Sequence, residues 1–209
     1  MKIERVTGGL IGTNCYIIEE DGEILTVDFV PELENLILKK GYDIKKILLT
    51  HIHFDHFEGL SSFQERYNFE LFLSEKAMAC INNPEYNLLY LAGGVSGVKE
   101  VDLKNAKSVG EGDSINFAGI NIAVIESPGH SEDSLMFIVD EEKVVFSGDT
   151  LFYGSVGRTD FATGSFDDIL KSIRKLFNRV GEDYIVYPGH GEATKVAFEK
   201  GHNPFLNRD

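Results

Sequence analysis

The stretch Thr50-His51-Ile52-His53-Phe54-Asp55-His56 packs three imidazoles and a carboxylate into six residues, immediately after the apolar run Ile47-Leu48-Leu49. The segment Ile44 to Thr50 reads as a β-strand that delivers its chain straight into His51. Side chains of an extended chain repeat every two residues, so His51 and His53 point to one side and can grip one cation together. Asp55 and His56 follow as the chain turns toward a helix expected over Asp55 to Tyr67, which re-aims them toward a second position. Imidazole nitrogen and carboxylate oxygen suit zinc, and also iron or manganese; no cysteine sits in the cluster, which speaks against a structural thiolate site.

Three later loops have the same character. Ser127-Pro128-Gly129-His130, Ser147-Gly148-Asp149-Thr150 and Tyr187-Pro188-Gly189-His190 each follow a strand-like run, and each sets a glycine before a metal-type residue. Glycine lets the backbone turn tightly enough for a side chain at a strand end to face a cavity. Five of the six histidines fall in these clusters, and only His202 is left over. Asp28, directly after the strand Ile24 to Val27, is a candidate hydrogen-bond partner for a ligand imidazole.

Around these clusters the chain alternates strands and helices. Lys2 to Val6, Asn14 to Glu19 and Glu23 to Val27 read as hairpin strands. Pro31 opens a helix that Gly41 stops. Strand Glu70 to Leu73 precedes a helix capped by Ser74 and ending near Ile81. Residues Asn82 to Gly97 read as a loop with apolar side chains, including Tyr86 and Tyr90. The second half offers strands Ser114 to Phe117, Ile120 to Glu126, Ser134 to Asp140, Lys143 to Phe146 and Tyr184 to Tyr187. Its helices are expected over Phe166 to Phe177 and about Ala193 to Lys200. This order predicts an α+β fold, an αββα sandwich of two mixed β-sheets packed face to face with helices on both outer faces, as one domain over 1–209.

Composition narrows the function classes. The formal charge of −14 over 209 residues repels phosphate backbones, so no nucleic-acid partner is expected. No apolar run approaches the roughly 20 residues that span a bilayer, and the start lacks a secretory h-region. Two distant cysteines, Cys15 and Cys80, give no disulfide framework. The expectation is a cytoplasmic protein with a small-molecule substrate and no membrane partner. Cys15, inside a strand, reads as a small buried hydrophobe.

The His-x-His-x-Asp-His cluster, the later single His, the Gly-Asp and the final Gly-His together resemble the metallo-β-lactamase superfamily in order and spacing. Gly12-Thr13-Asn14-Cys15-Tyr16, Phe146-Ser147-Gly148-Asp149-Thr150-Leu151-Phe152, Gly157-Arg158-Thr159-Asp160-Phe161 and Asn203-Pro204-Phe205-Leu206 resemble its short glyoxalase II-like (hydroxyacylglutathione hydrolase-like) members. The resemblance spans nearly the whole chain. It implies two divalent metal ions, with zinc first and iron or manganese as alternatives. His51, His53 and His130 would ligate one ion, Asp55, His56 and His190 the other, and Asp149 would bridge.

The implied activity is hydrolysis of a thioester or ester of a small acid by a metal-activated hydroxide, with Asp55 orienting the nucleophile or taking a proton and Arg158 contacting substrate. The run Gly157 to Phe161 also resembles persulfide dioxygenases of the superfamily, which use one iron, and these are the runner-up reading; a lactonase and a catalytically inert metal-binding module are the remaining alternatives. Glu192 stands where full-length glyoxalase II enzymes have a tyrosine, and this chain stops short of their C-terminal helical region.

Overall fold

The computed structural model describes residues 1–93 and 99–206. The chain divides into two compact units, Met1–Val109 and Gly110–Asp209. Each is built around one six-stranded sheet.

In the first unit, β1 (Lys2–Gly8), β2 (Thr13–Glu20) and β3 (Glu23–Val27) form an antiparallel meander. Three parallel strands extend it: β4 (Ile44–Leu48), β5 (Glu70–Leu73) and β6 (Ala106–Ser108). Parallel neighbours need crossovers. Helix α1 (Pro31–Lys40) supplies the one between β3 and β4, starting at a proline whose missing N–H costs nothing there. It ends at Gly41 in a left-handed conformation (φ 67°). Leu33 and Ile37 on one stripe of α1 bury against Ile24, Ile44 and Ile47 of the sheet. Helices α2 (Leu60–Gln64) and α3 (Glu75–Cys80) complete the unit, and the Ser74 hydroxyl caps α3 by accepting from the Ala77 amide at 3.1 Å.

The expected helix over Asp55 to Tyr67 is replaced by a 3-10 turn at Phe54–His56 and the short α2. The physical reason is competition for the backbone. The Phe29 amide donates to the His56 carbonyl at 2.8 Å, and Phe57 bridges Phe29, so this stretch is tied to the end of β3. Helical turns begin only after Gly59 (φ 85°).

The second unit's sheet runs β14-β13-β10-β9-β8-β7. Its strands are β7 (Ser114–Phe117), β8 (Ile120–Glu126), β9 (Leu135–Val139), β10 (Val144–Gly148), β13 (Ile185–Pro188) and β14 (Thr194–Lys195), while β11 (Leu151–Phe152) and β12 (Ser155–Val156) form a separate small hairpin. Every residue of β9 and β10 is buried, which is why β9 and the Val144-Val145-Phe146 part of β10 read as apolar runs without alternation. Helix α4 (Phe166–Arg179) presents Ile169, Ser172, Ile173 and Leu176 at helical spacing. Three of these pack with Met136, Ile138, Val145 and Val186 of the sheet. The chain ends in α5 (Val196–His202), and β14 occupies the first residues of the helix expected from Ala193.

Part of the expected loop over 82–97, residues 94–97, lies outside the described residues. No described helix is long and apolar enough to cross a membrane. Ile138 is fully buried in the middle of its sheet, so Ile138→Ala should lower the unfolding free energy by about 2–5 kcal/mol in urea titration. A loss below about 1 kcal/mol would show that the core under α4 is not packed as described.

Candidate metal centre

Parallel strands that end side by side bring the residues following them together. In the first unit Val27 of β3 pairs with Leu48 of β4, so Asp28 and Thr50 emerge as neighbours. Asp28 is buried and takes a left-handed backbone (φ 61°), an uncommon conformation for a non-glycine residue. Its carboxylate accepts the Thr50 amide at 2.8 Å and the Thr50 hydroxyl at 2.9 and 3.0 Å. It also accepts His56 Nδ1–H at 2.8 Å. Burial pushes the Asp28 carboxyl above its ordinary range, while the His56 and Thr50 contacts pull the other way.

These bonds fix which ring nitrogens carry lone pairs. With Nδ1 donating to Asp28, His56 keeps Nε2 as its acceptor atom, 3.3 Å from Asp55 Oδ2. The Thr50 hydroxyl proton is committed to Asp28, so Thr50 Oγ1 accepts from His51 Nδ1 at 3.1 Å. That leaves the lone pair of His51 on Nε2, facing His53 Nδ1 at 3.1 Å. Thr13 holds the remaining member of the cluster, its hydroxyl donating to Asp55 Oδ2 at 2.6 Å. Donor atoms of His51 lie within 4.8 Å of those of His53 and of His56.

The second unit uses the same device at its strand ends. Gly148 at the end of β10 pairs with Pro188 at the end of the parallel β13, and the Gly189 amide donates to the Gly148 carbonyl at 2.8 Å. Asp149 and His190 therefore leave adjacent strands together, with His190 Nε2 3.5 Å from Asp149 Oδ2. His130 Nε2 lies 3.6 Å from the same oxygen. His130 Nδ1–H donates to the Arg158 carbonyl at 2.8 Å, which again leaves Nε2 as the lone-pair nitrogen. Gly129 before it has φ 138°, and a Cβ there would fall 2.2 Å from the Ile169 amide nitrogen. Only glycine brings the chain that close to the start of α4.

The donor chemistry fits metal ions. Acceptor atoms of imidazoles and carboxylates approach one another in both units, an arrangement that repels without a cation and becomes favourable with one. Cys15 takes no part: it is buried, its thiol is pushed well up by burial, and it donates to the Asp28 carbonyl at 3.1 Å. The Arg158 guanidinium forms a two-pronged contact with Asp160, both bonds at 2.6 Å, and lies 4.2 Å over the Phe161 ring. His202 contacts the Phe198 carbonyl through Nδ1 at 3.2 Å, as a helix-end residue. Thr13 and Thr50 went unrecognised as parts of the site; threonine has no metal signature, although Thr13 lies inside one of the family-like motifs.

The metallo-β-lactamase superfamily model matches residues 8–190. The chain belongs to that superfamily and has its fold. Two relatives align over nearly their full length. The probable metallo-hydrolase YqgX of Bacillus subtilis (strain 168) is 33% identical over 99% of this chain and 98% of its own. The hydroxyacylglutathione hydrolase GloC of Haemophilus influenzae is 32% identical over 99% of each. Among solved structures, the BLEG-1 B3 metallo-β-lactamase superposes with TM-score 0.86 at 29% identity, covering 99% of this chain and 100% of that one. TTHA1623 in a di-iron-bound form gives TM-score 0.85 at 30% identity, covering 97% and 100%. This chain is accordingly a metallo-hydrolase of the superfamily.

Two outcomes check the local chemistry. Asp28→Ala removes the acceptor that sets His56 and, through Thr50, His51, and should weaken metal binding roughly 10- to 100-fold in chelator competition; unchanged affinity would remove Asp28 from the site. Arg158 holds the Asp160 carboxyl down at about 2, against an ordinary 3.8. A carboxyl depressed in the fold adds stability above its ordinary pKa that disappears as pH falls through the lowered one, here between 3.8 and about 2. In Arg158→Ala the Asp160 midpoint should return toward 3.8 in a carboxyl-resolved NMR titration; a midpoint still near 2 would mean another group holds it.

Proposed function

We propose that the donor sets of both units serve two divalent metal ions and that the chain hydrolyses a thioester or ester of a small acid. In this reading His51, His53 and His130 hold one ion, Asp55, His56 and His190 hold the other, and Asp149 is shared. The observation that carries it is the pair of ring contacts, His56 Nδ1 to Asp28 and His130 Nδ1 to the Arg158 carbonyl, together with Asp149 Oδ2, which lies 3.6 Å from His130 Nε2 and 3.5 Å from His190 Nε2. A carboxylate oxygen within reach of both imidazoles supports the reading that Asp149 would be shared. The di-iron form of TTHA1623, 30% identical to this chain, supports the two-ion count.

When bound, such ions lower the pKa of a coordinated water toward ~7 and polarise a carbonyl oxygen. The protein's own groups do the rest. Asp55, held at Oδ2 by the Thr13 hydroxyl, orients the attacking water and accepts its proton, then returns it to the departing thiol or alcohol. With their Nδ1 atoms engaged by Thr50 and Asp28, His51 and His56 have Nε2 left to hold an ion. The Arg158 guanidinium meets the Asp160 carboxylate through two donors, and we assign Arg158 to the acid portion of the substrate.

The thioester class is supported by the resemblance to glyoxalase II and by the 32% identity to GloC. BLEG-1, at 29% identity, makes a β-lactam the proper counter-substrate. Elemental analysis paired with thioester hydrolysis in air and under anaerobic conditions tests the proposal. Two divalent ions per chain and oxygen-independent cleavage, well ahead of β-lactam turnover, are expected. One iron with oxygen-dependent turnover of a persulfide, or β-lactam cleavage alone, would overturn it. Asp55→Ala should lower kcat by about 10²–10⁴-fold; full activity at full metal content would remove Asp55 from the mechanism.

A further inference from the structure

Glu199 is the second unit's least expected residue. It lies on α5, is fully buried, and follows His190, the last of the metal-type residues, along the chain. Its carboxylate accepts the Gly154 amide at 3.0 and 3.2 Å, the Thr194 hydroxyl at 2.6 Å and the Asn203 side-chain amide at 2.7 Å. None of these partners is a cation. Burying a carboxylate costs several kcal/mol of desolvation that its hydrogen bonds must offset, and here those bonds tie Gly154, Thr194 and Asn203 to one point.

What it fixes is the tip of the β11–β12 hairpin. Gly154 is one turn residue, and the adjacent Ser155 gives its carbonyl to Asn203 Nδ2 at 3.1 Å. Tyr153 stacks on Phe198 of α5, centroids 4.8 Å apart. Asn203 is itself held as a turn, its side-chain oxygen accepting the Phe205 amide at 3.0 Å. Glu199 and Asn203 thus hold consecutive residues, Gly154 and Ser155, at the tip of the hairpin.

The hairpin and the Gly157-Arg158 pair that follows it are linked to all three metal-type residues of the unit. One strand begins two residues after Asp149. The other ends two residues before Arg158, whose carbonyl sets the His130 tautomer. Gly157, between them, has no room for a side chain, since a Cβ there would lie 1.8 Å from the Asp149 carbonyl oxygen and 3.2 Å from His130 Cβ. Phe152 meets the His190 ring edge-on at 6.2 Å. Ser147 ties the start of the hairpin back to β10 by donating to the Leu151 carbonyl at 2.8 Å.

We infer that Glu199, with Asn203, is a positioning residue for the metal centre, gripping the β11–β12 hairpin so that Asp149, His130 and His190 keep their mutual placement before metal arrives. The inference rests on the two-metal reading above. It also gives a role to the Asn203-Pro204-Phe205-Leu206 motif, which contains no catalytic residue type. Glu199→Gln preserves size but puts an NH2 group among donors. Asn203→Ala leaves the carboxylate and removes the Ser155 bond.

The test measures zinc affinity by chelator competition and apo-protein unfolding for wild type and both variants, with Gly154 amide exchange in the wild type. Expected are a roughly 10- to 100-fold weaker zinc affinity in either folded variant and slower Gly154 exchange in wild type on zinc addition, because coupling between two sites is reciprocal. Wild-type zinc affinity in a folded variant, or Gly154 exchange indifferent to zinc, would overturn the assignment. A wild-type chain that binds no metal would instead overturn the two-metal reading.

Discussion

One buried carboxylate orders the first unit's half of the chemistry. Asp28 stands where β3 and β4 end side by side, and its acceptor oxygens take the Thr50 amide, the Thr50 hydroxyl and the His56 ring proton. Everything downstream is proton counting. Once these hydrogens are spent on Asp28, His56 and His51 can only present lone pairs at Nε2. A carboxylate with that many donors rests stably in the interior, even with its pKa raised by burial and its backbone in an uncommon conformation. The left-handed turn at Asp28 is the local strain that lets the side chain double back to the strand ends.

The second unit solves the same problem with different parts. His130 is set by a backbone carbonyl, that of Arg158, and the carbonyl is placed by a hairpin that Glu199 grips from α5. Both units thus follow one rule: functional side chains leave the carboxyl ends of neighbouring strands, and an acceptor outside the metal-type set decides which nitrogen is available. Tolerance should differ between the two. A side-chain acceptor is lost in one substitution, whereas a backbone acceptor is lost only when the turn carrying it moves.

Much of this was legible in the residues themselves. The metal-type clusters after apolar strands, the capping serine at 74, the Pro31 to Gly41 helix and the fold class all follow from local chemistry. The helix expected over Asp55 to Tyr67 did not form, because Phe29 and Phe57 pull that backbone toward the end of β3, a tertiary effect that no local pattern encodes. The β11–β12 hairpin escaped notice because its strands are two residues each, too short for periodicity. Thr13, Thr50 and Glu199 carry no signature as residue types; only their partners reveal them. Asp28 was visible as a candidate solely by its place after a strand.

Metal binding of the kind described requires the lone pairs at His51 Nε2 and His56 Nε2 to be aimed at cations. Anomalous diffraction from crystals of the metal-loaded protein, recorded on both sides of the zinc and iron absorption edges, tests this directly. Two anomalous peaks are predicted, one at about 2.0–2.1 Å from His51 Nε2 and the other at the same bonding distance from His56 Nε2. Fully loaded crystals with peaks elsewhere, or with either imidazole bonded through Nδ1, would contradict it.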